Sequence, residues 1–258
     1  MISCKQYAEI KKQEYKNFAV KMPLSIIQVG DNPASNTYIK GKMKDCQEVG
    51  IVTYLYKLPE DVTQHIFNKT VEKAVKNNGG LIIQLPIPER LYFYDIPAWQ
   101  DVDGLYYDNY NPCTAEGIID WLEYNQIDLT GQHVTILGRS ELVGWPLAKM
   151  MLDRNATVSV CHSRSRSYDI ETLIQNSDII VSATGHRFPA WFCPHHLYGK
   201  KIFIDVGINR DENNKLHGDL DCSALESQGH YVTPVPGGVG LLTRVTLLKH
   251  LVNPIDKV

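Results

Sequence analysis

No two cysteines in the chain stand at the Cys-x-x-Cys spacing, and the six that occur (Cys4, Cys46, Cys113, Cys161, Cys193, Cys222) are scattered through 258 residues. That scatter argues against a disulfide framework and suits free thiols in a reducing compartment. A surplus of positive charge is also missing. With a net charge of −3 there is no support for the basic stripe of a nucleic-acid binder. Nor does any apolar run approach the length of a membrane span. The opening stretch, MISCKQYAEIKKQEYKNF, is charged throughout and lacks the apolar centre of a signal peptide. These absences predict a soluble cytoplasmic protein with neither membrane nor nucleic acid as partner. His195 and His196 lie beside Cys193, but adjacent histidines point in different directions and lack a zinc-ligand spacing, so a surface loop and no metal site is expected.

What is present is ordinary globular composition, 43% hydrophobic and 21% charged, in a chain long enough for two lobes. LSIIQVG reads as a strand and ASNTYIKGKMKDCQEVG as a helix stopped by Gly50; IVTYLYKL is a strand and VTQHIFNKTVEKAVKNNGG a helix. LIIQLPIP is a buried strand running into a proline loop, and YFYDIPAWQDVDGLYYDNYNP breaks the rhythm at a lobe boundary. CTAEGIIDWLEYNQ reads as a linking helix with Thr114 as its N-cap. A second alternating series follows, with strands in HVTILG, TVSVCHS, DIIVSATG and KIFIDVGI, and the tail GLLTRVTLLKHLV is apolar at helical spacing. The fold class expected is α/β, a two-lobed chain of an N-terminal α/β catalytic domain and a Rossmann-like dinucleotide-binding domain with a parallel sheet. The boundaries read are 1–115, completed by a C-terminal helix over 240–258, and 116–239.

ILGRSELVGWP follows one of these strands and opens a helix, the context of a phosphate-binding turn, although Gly138 and Gly144 do not make Gly-x-Gly-x-x-Gly. A structural glycine turn competes with that reading. The end of the next strand carries His162, Ser163, Arg164, Ser165 and Arg166 where an NAD site usually places an acid. Cations and hydroxyls there suit a 2′-phosphate. Arg166 alone reads as a solvated basic residue; with Arg139 and Ser140 in the turn, NADP is the better expectation.

In SNTYIKGKMK, Tyr38 and Lys42 stand four apart on one helical face. The Tyr-x-x-x-Lys of short-chain dehydrogenases is one reading, but there the pair lies downstream of the nucleotide turn and here it lies upstream. Singly, Lys42 reads as a solvated lysine, Tyr38 as a packing residue, Gln84 as a strand end and Asp103 as a turn former.

Taken in order, VGDNPASNTYIKGKMKDCQEVGI, LIIQLPIP, DVDG, PCTAEGI, ILGRSELVGWPLA, ATVSVCHSRS, IDVGINR and PVPGGVG resemble the methylenetetrahydrofolate dehydrogenase/methenyltetrahydrofolate cyclohydrolase family. The resemblance runs from about Ser25 to about Lys249. It implies NADP-dependent oxidation of 5,10-methylenetetrahydrofolate and hydrolysis of the methenyl product, at a site in a cleft between two lobes. By the same resemblance Lys42 is catalytic, Gln84 orients its amine, Tyr38 stacks on the aminobenzoyl ring, and Asp103 holds the pterin. Pro236, Gly237 and Gly238 then contact the folate, while Gly138, Arg139, Ser140, Val143, Gly144, Ser163, Arg164 and Ile208 contact NADP. A homodimer through the nucleotide lobes is implied too. Three departures stand out: a short segment before the first strand, a short connection from DVDG to PCT, and Leu241 with Arg244 after PGGVG. The competing readings are a dehydrogenase of another small substrate on this scaffold, and a catalytically weak nucleotide-binding homologue.

Overall fold

The computed structural model describes residues 1–92, 96–106, 109–187, 197–213 and 215–255. His195, His196 and Cys193 lie outside them. The chain divides into two compact units, one of residues 9–113 and 244–258, the other of residues 1–8 and 114–243. Residues 1–8 group with the second unit, where Ile2 N–H donates to Asn125 Oδ1 and the Ile2 carbonyl accepts from the Trp121 indole at 3.1 Å.

The first unit is built on three parallel strands, β1 (Leu24–Val29), β2 (Thr53–Leu58) and β3 (Gly80–Gln84), in the order β2-β1-β3. Every residue of β1 is buried, as a central strand covered on both faces requires. The helices α1 (Cys4–Lys16), α2 (Pro33–Val49) and α3 (Gln64–Val75) precede or connect them. Ile27, Phe67, Val71, Leu81 and Ile83 form its core, each such side chain stabilising the fold by about 1.5–3 kcal/mol.

The second unit carries α4 (Cys113–Tyr124), β4 (His133–Leu137), α5 (Gly144–Leu152), β5 (Thr157–Cys161), α6 (Ser167–Asn176), β6 (Ile179–Ser182) and β7 (Ile202–Asp205). A two-stranded ribbon, β8 (Asn209–Arg210) and β9 (Leu216–His217), precedes α7 (Cys222–Ser227) and β10 (Tyr231–Val232). Its sheet is parallel in the order β10-β7-β6-β4-β5, so the chain moves outward from β4 to β5 and returns to the other side of β4 as β6. That reversal makes a switch point at the C-terminal end of β4, where open α/β sheets bind ligands. Leu137, Ile174, Ile180 and Phe203 lie in this unit's core. The last helix, α8, spans Val239–Val252.

The strand and helix order matches the expected alternation closely. One local expectation is corrected. Thr114 does not cap α4 but lies inside its first turn, and its hydroxyl bonds that of Thr243 at 3.0 Å. The chain enters α4 through Cys113, whose N–H already donates to the Asp103 carbonyl.

Candidate functional site

In the first unit the phase of α2 is fixed at both ends. Asn32 caps its start, the side-chain oxygen accepting from the Ala34 and Ser35 N–H groups at 2.9 and 3.1 Å, with Pro33 at the first position. Gly50 ends it at φ 80°, its N–H returning to the carbonyls of Cys46 and Gln47. Between these caps Ser35, Ile39, Lys42, Asp45, Cys46 and Val49 are buried. A lysine on that face requires a partner. Lys42, its side chain only 3% exposed, has Nζ 3.3 and 3.5 Å from Asp103 Oδ2 and Oδ1. Tyr38, one turn earlier, has its ring centroid 6.0 Å from the same Nζ.

Asp103 reaches this place through the DVDG turn. Asp101 bridges Leu81 beside β3, and its carboxylate accepts the Tyr106 N–H at 2.8 Å. Burial pushes the Asp101 pKa up, against the backbone hydrogen bonds that lower it. Gly104 has φ +71°, and a Cβ there would meet the Asn111 carbonyl at 2.4 Å, so the residue after Asp103 has to be glycine. Gln84 ends β3. Its Nε2 donates to the Leu85 carbonyl at 3.0 Å, while its Oε1 is buried with no hydrogen-bond partner. Lys42 therefore faces Asp103 here, and the Gln84 carbonyl is an unfilled acceptor. Arg244, atypical in sequence, has a defined partner: its Nε lies 2.9 Å from Asp45 Oδ2, and a Cβ on Gly41 would meet its Nη1 at 2.1 Å.

In the second unit, the turn after β4 is held by close backbone approach. The Gly138 N–H donates to the Cys161 carbonyl at 2.9 Å. A Cβ on Gly138, at φ +123°, would meet the Ala183 carbonyl at 2.4 Å, and one on Gly144 would meet the Gly138 carbonyl at 2.1 Å. The glycines are needed because the turn, the helix start and the end of β6 touch.

A cavity of about 770 Å³ opens at the ends of β4, β5 and β6, within the usual range for ligand sites. Gly138, Arg139, Ser140 and Ser163 line it, with Leu137, Cys161, His162, Ser165 and Ile170. Its third side is Ala183, Thr184, His186 and Arg187. Among the described residues the lining thus holds two arginines and no carboxylate, a surface suited to an anion. Val143 and Gly144 form the turn behind it and the start of α5, outside the lining. Arg164 also lies outside the lining, its N–H donating to His162 Nδ1 at 3.1 Å, and Ile208 is 51% exposed after β7. Arg166 is a surface residue paired with Asp169 at 2.8 Å. Pro236, Gly237 and Gly238 form a loop of this unit; Gly237 has φ +102°, and a Cβ on Gly238 would meet the Pro234 carbonyl at 2.3 Å. Sequence reasoning missed Thr184, His186 and Arg187. The rule that ligands sit beyond the carboxyl ends of strands at a switch point marks SATG, which begins at the last residue of β6, as the signal for them.

Comparison with known proteins agrees with this geometry. Residues 2–103 match the catalytic domain of tetrahydrofolate dehydrogenase/cyclohydrolase, and residues 112–258 match the NAD(P)-binding domain of the same family. The bifunctional protein FolD of Bacillus mycoides (strain KBAB4) is 35% identical, over 97% of this chain and 94% of the relative. The structure of the bifunctional FolD enzyme of Campylobacter jejuni superposes with a TM-score of 0.84 at 32% identity, covering 97% of this chain and 96% of that one. That of the Trypanosoma brucei enzyme, complexed with NADP cofactor and inhibitor, gives a TM-score of 0.85 at 27% identity, covering 97% and 95%. Both units thus have counterparts along nearly their whole length, and the chain belongs to the tetrahydrofolate dehydrogenase/cyclohydrolase family.

Proposed function

We propose that the protein oxidises 5,10-methylenetetrahydrofolate to 5,10-methenyltetrahydrofolate with NADP, and hydrolyses that product to 10-formyltetrahydrofolate. The observation that carries this reading is Lys42, a buried ammonium held against Asp103 beside the Tyr38 ring. The resemblance of the surrounding motifs supports the same roles.

Bound NADP supplies the hydride acceptor. Gly138, Arg139, Ser140 and Ser163 would hold it from the cavity, with Val143 and Gly144 shaping the turn and Arg164 and Ile208 at its margins. Arginines and hydroxyls without a carboxylate in the lining favour the 2′-phosphate of NADP over the bare ribose of NAD.

The protein's own residues do the rest. Tyr38 offers its ring to the aminobenzoyl group. Asp103 offers two acceptors to the N–H donors of the pterin, and a substrate that engages them releases Lys42 from its ion pair. The unfilled Gln84 Oε1 then serves as the new acceptor for the amine. Lys42 moves protons as water adds to the methenyl carbon and the ring opens. Pro236, Gly237 and Gly238 are assigned to folate by the resemblance of the PVPGGVG motif alone.

The cytoplasm suits the chain because Cys4, Cys46, Cys161 and Cys222 are free thiols. Homodimerisation through the nucleotide-binding unit is supported by Trp145 and Leu152, exposed seven residues apart on one face of α5. The formyl product suits one-carbon metabolism and purine biosynthesis.

The test is a paired assay of wild type and Lys42→Met. Wild type is expected to perform both reactions, and the variant to lose hydrolysis by about 10²- to 10⁴-fold with a smaller loss in hydride transfer. A wild type that binds NADPH but catalyses neither reaction rules out the folate substrate.

A further inference from the structure

Asp219 has no role in the chemistry above and was not marked by sequence. It is fully buried, and donors converge on it from two separate segments. Its Oδ2 accepts from Ser182 Oγ, Thr184 N–H and Thr184 Oγ1, each at 2.9 Å, and from Gly185 N–H at 3.3 Å. Its Oδ1 accepts from Asn209 Nδ2 at 2.9 Å. Asp219 is itself anchored, its N–H donating to Asp205 Oδ1 at 3.0 Å. Both neighbouring glycines are shaped by these carboxylates: a Cβ on Gly207 would meet Asp219 Oδ1, and one on Gly218 would meet Asp205 Oδ2, each at 2.0 Å.

The placement matters because the sheet stops here. The Ala183 N–H still donates to the Leu137 carbonyl, as a strand residue would. Beyond it, the N–H groups of Thr184 and Gly185 have the Asp219 carboxylate in place of a neighbouring strand. Ala183 and Thr184 are walls of the nucleotide cavity. Asn209 opens β8, directly after Ile208 in the turn that follows β7. One carboxylate thus fixes both segments.

We infer that Asp219 is a positioning residue for the dinucleotide, holding the wall at 183–185 and, through Asn209, the turn that bears Ile208. It does so through backbone and side-chain donors and touches no ligand itself. The inference rests on the reading of this cavity as the NADP site.

Asp219→Asn keeps the size of the side chain but loses its charge and one acceptor, and Ser182→Ala removes a single donor. NADPH titration of the purified full chain is expected to show a dissociation constant raised about tenfold in D219N and about threefold in S182A. At saturating folate, hydrolysis of methenyltetrahydrofolate should stay within about twofold of wild type in both, because that step uses no nucleotide. A folded D219N with unchanged NADPH affinity overturns the inference. So does a fall of hydrolysis in step with dehydrogenation, which marks a purely structural role. If D219N does not fold, S182A decides by the same two measurements. A wild type that binds NADPH but turns over no folate defeats the folate reading, while the titration still judges Asp219; a wild type that binds no NADPH defeats both.

Discussion

The two units use buried charge in opposite ways. In the catalytic unit a buried ammonium, Lys42, rests on one carboxylate that is itself 32% exposed, with a second acceptor on Gln84 unfilled. In the nucleotide unit the buried carboxylates of Asp205 and Asp219 are saturated by donors from their own fold. The first arrangement can exchange partners when a ligand arrives, and the second cannot. Chemistry that moves protons needs the former; a site that only has to present a fixed surface to a cofactor is served by the latter.

The contrast predicts separable failures. The largest is at Asp103. Asp103→Asn removes charge-assisted acceptors from the substrate and the partner from Lys42, and steady-state kinetics should show the folate KM raised about 10- to 100-fold. NADPH affinity should be unchanged; a loss of NADPH binding there breaks the division of labour.

An effect on stability and not on activity concerns Asp205, where burial outweighs the N–H groups of Leu220, Asp219 and Gly207 and lifts the pKa from 3.8 to about 6. The folded chain then holds a proton that the unfolded chain has released, so stability falls as pH rises from about 4 to about 6. The change amounts to about 3 kcal/mol at most. Urea unfolding across that window should show a steeper decline in wild type than in Asp205→Asn; parallel curves sink the assignment. Carboxylates with lowered pKa, such as Glu48 beside Lys12, bias the slope the other way in both proteins and cancel in the difference. Smallest of all is Arg166→Ala, which removes a surface pair to Asp169 and should change NADPH affinity by less than about twofold and thermal stability by under about 0.5 kcal/mol.

Much of this was legible in the residues themselves. The helix carrying Tyr38 and Lys42 announces its end at Gly50, and the glycines at 138 and 144 mark a close-packed turn before any coordinate is known. Thr114 misled because its hydroxyl has a partner 129 residues away, in Thr243, which local capping rules do not see. Asp219 was invisible for the same reason. Its donors lie ten to thirty-seven positions away, and two of the five are backbone N–H groups, of Thr184 and Gly185, that every sequence shares. Lys42 was found by spacing and family order, but its choice of Asp103 over Gln84 depends on where the DVDG turn docks beside β3, a matter of tertiary packing.

The turn at Gly138 bears on how cofactor preference can evolve. Three stretches of main chain press together there, so substitution at 138 or 144 disturbs the framework itself. Ser163 and Arg164, by contrast, stand beyond the end of β5, and Arg164 lies outside the cavity lining altogether. Under the proposed reading, in which the 2′-phosphate is met at the end of β5, the discriminating residue Ser163 can be exchanged without touching the framework. On that reading, a lineage built on this scaffold changes electron carrier by exchanging strand-end residues and keeps the packed turn at Gly138.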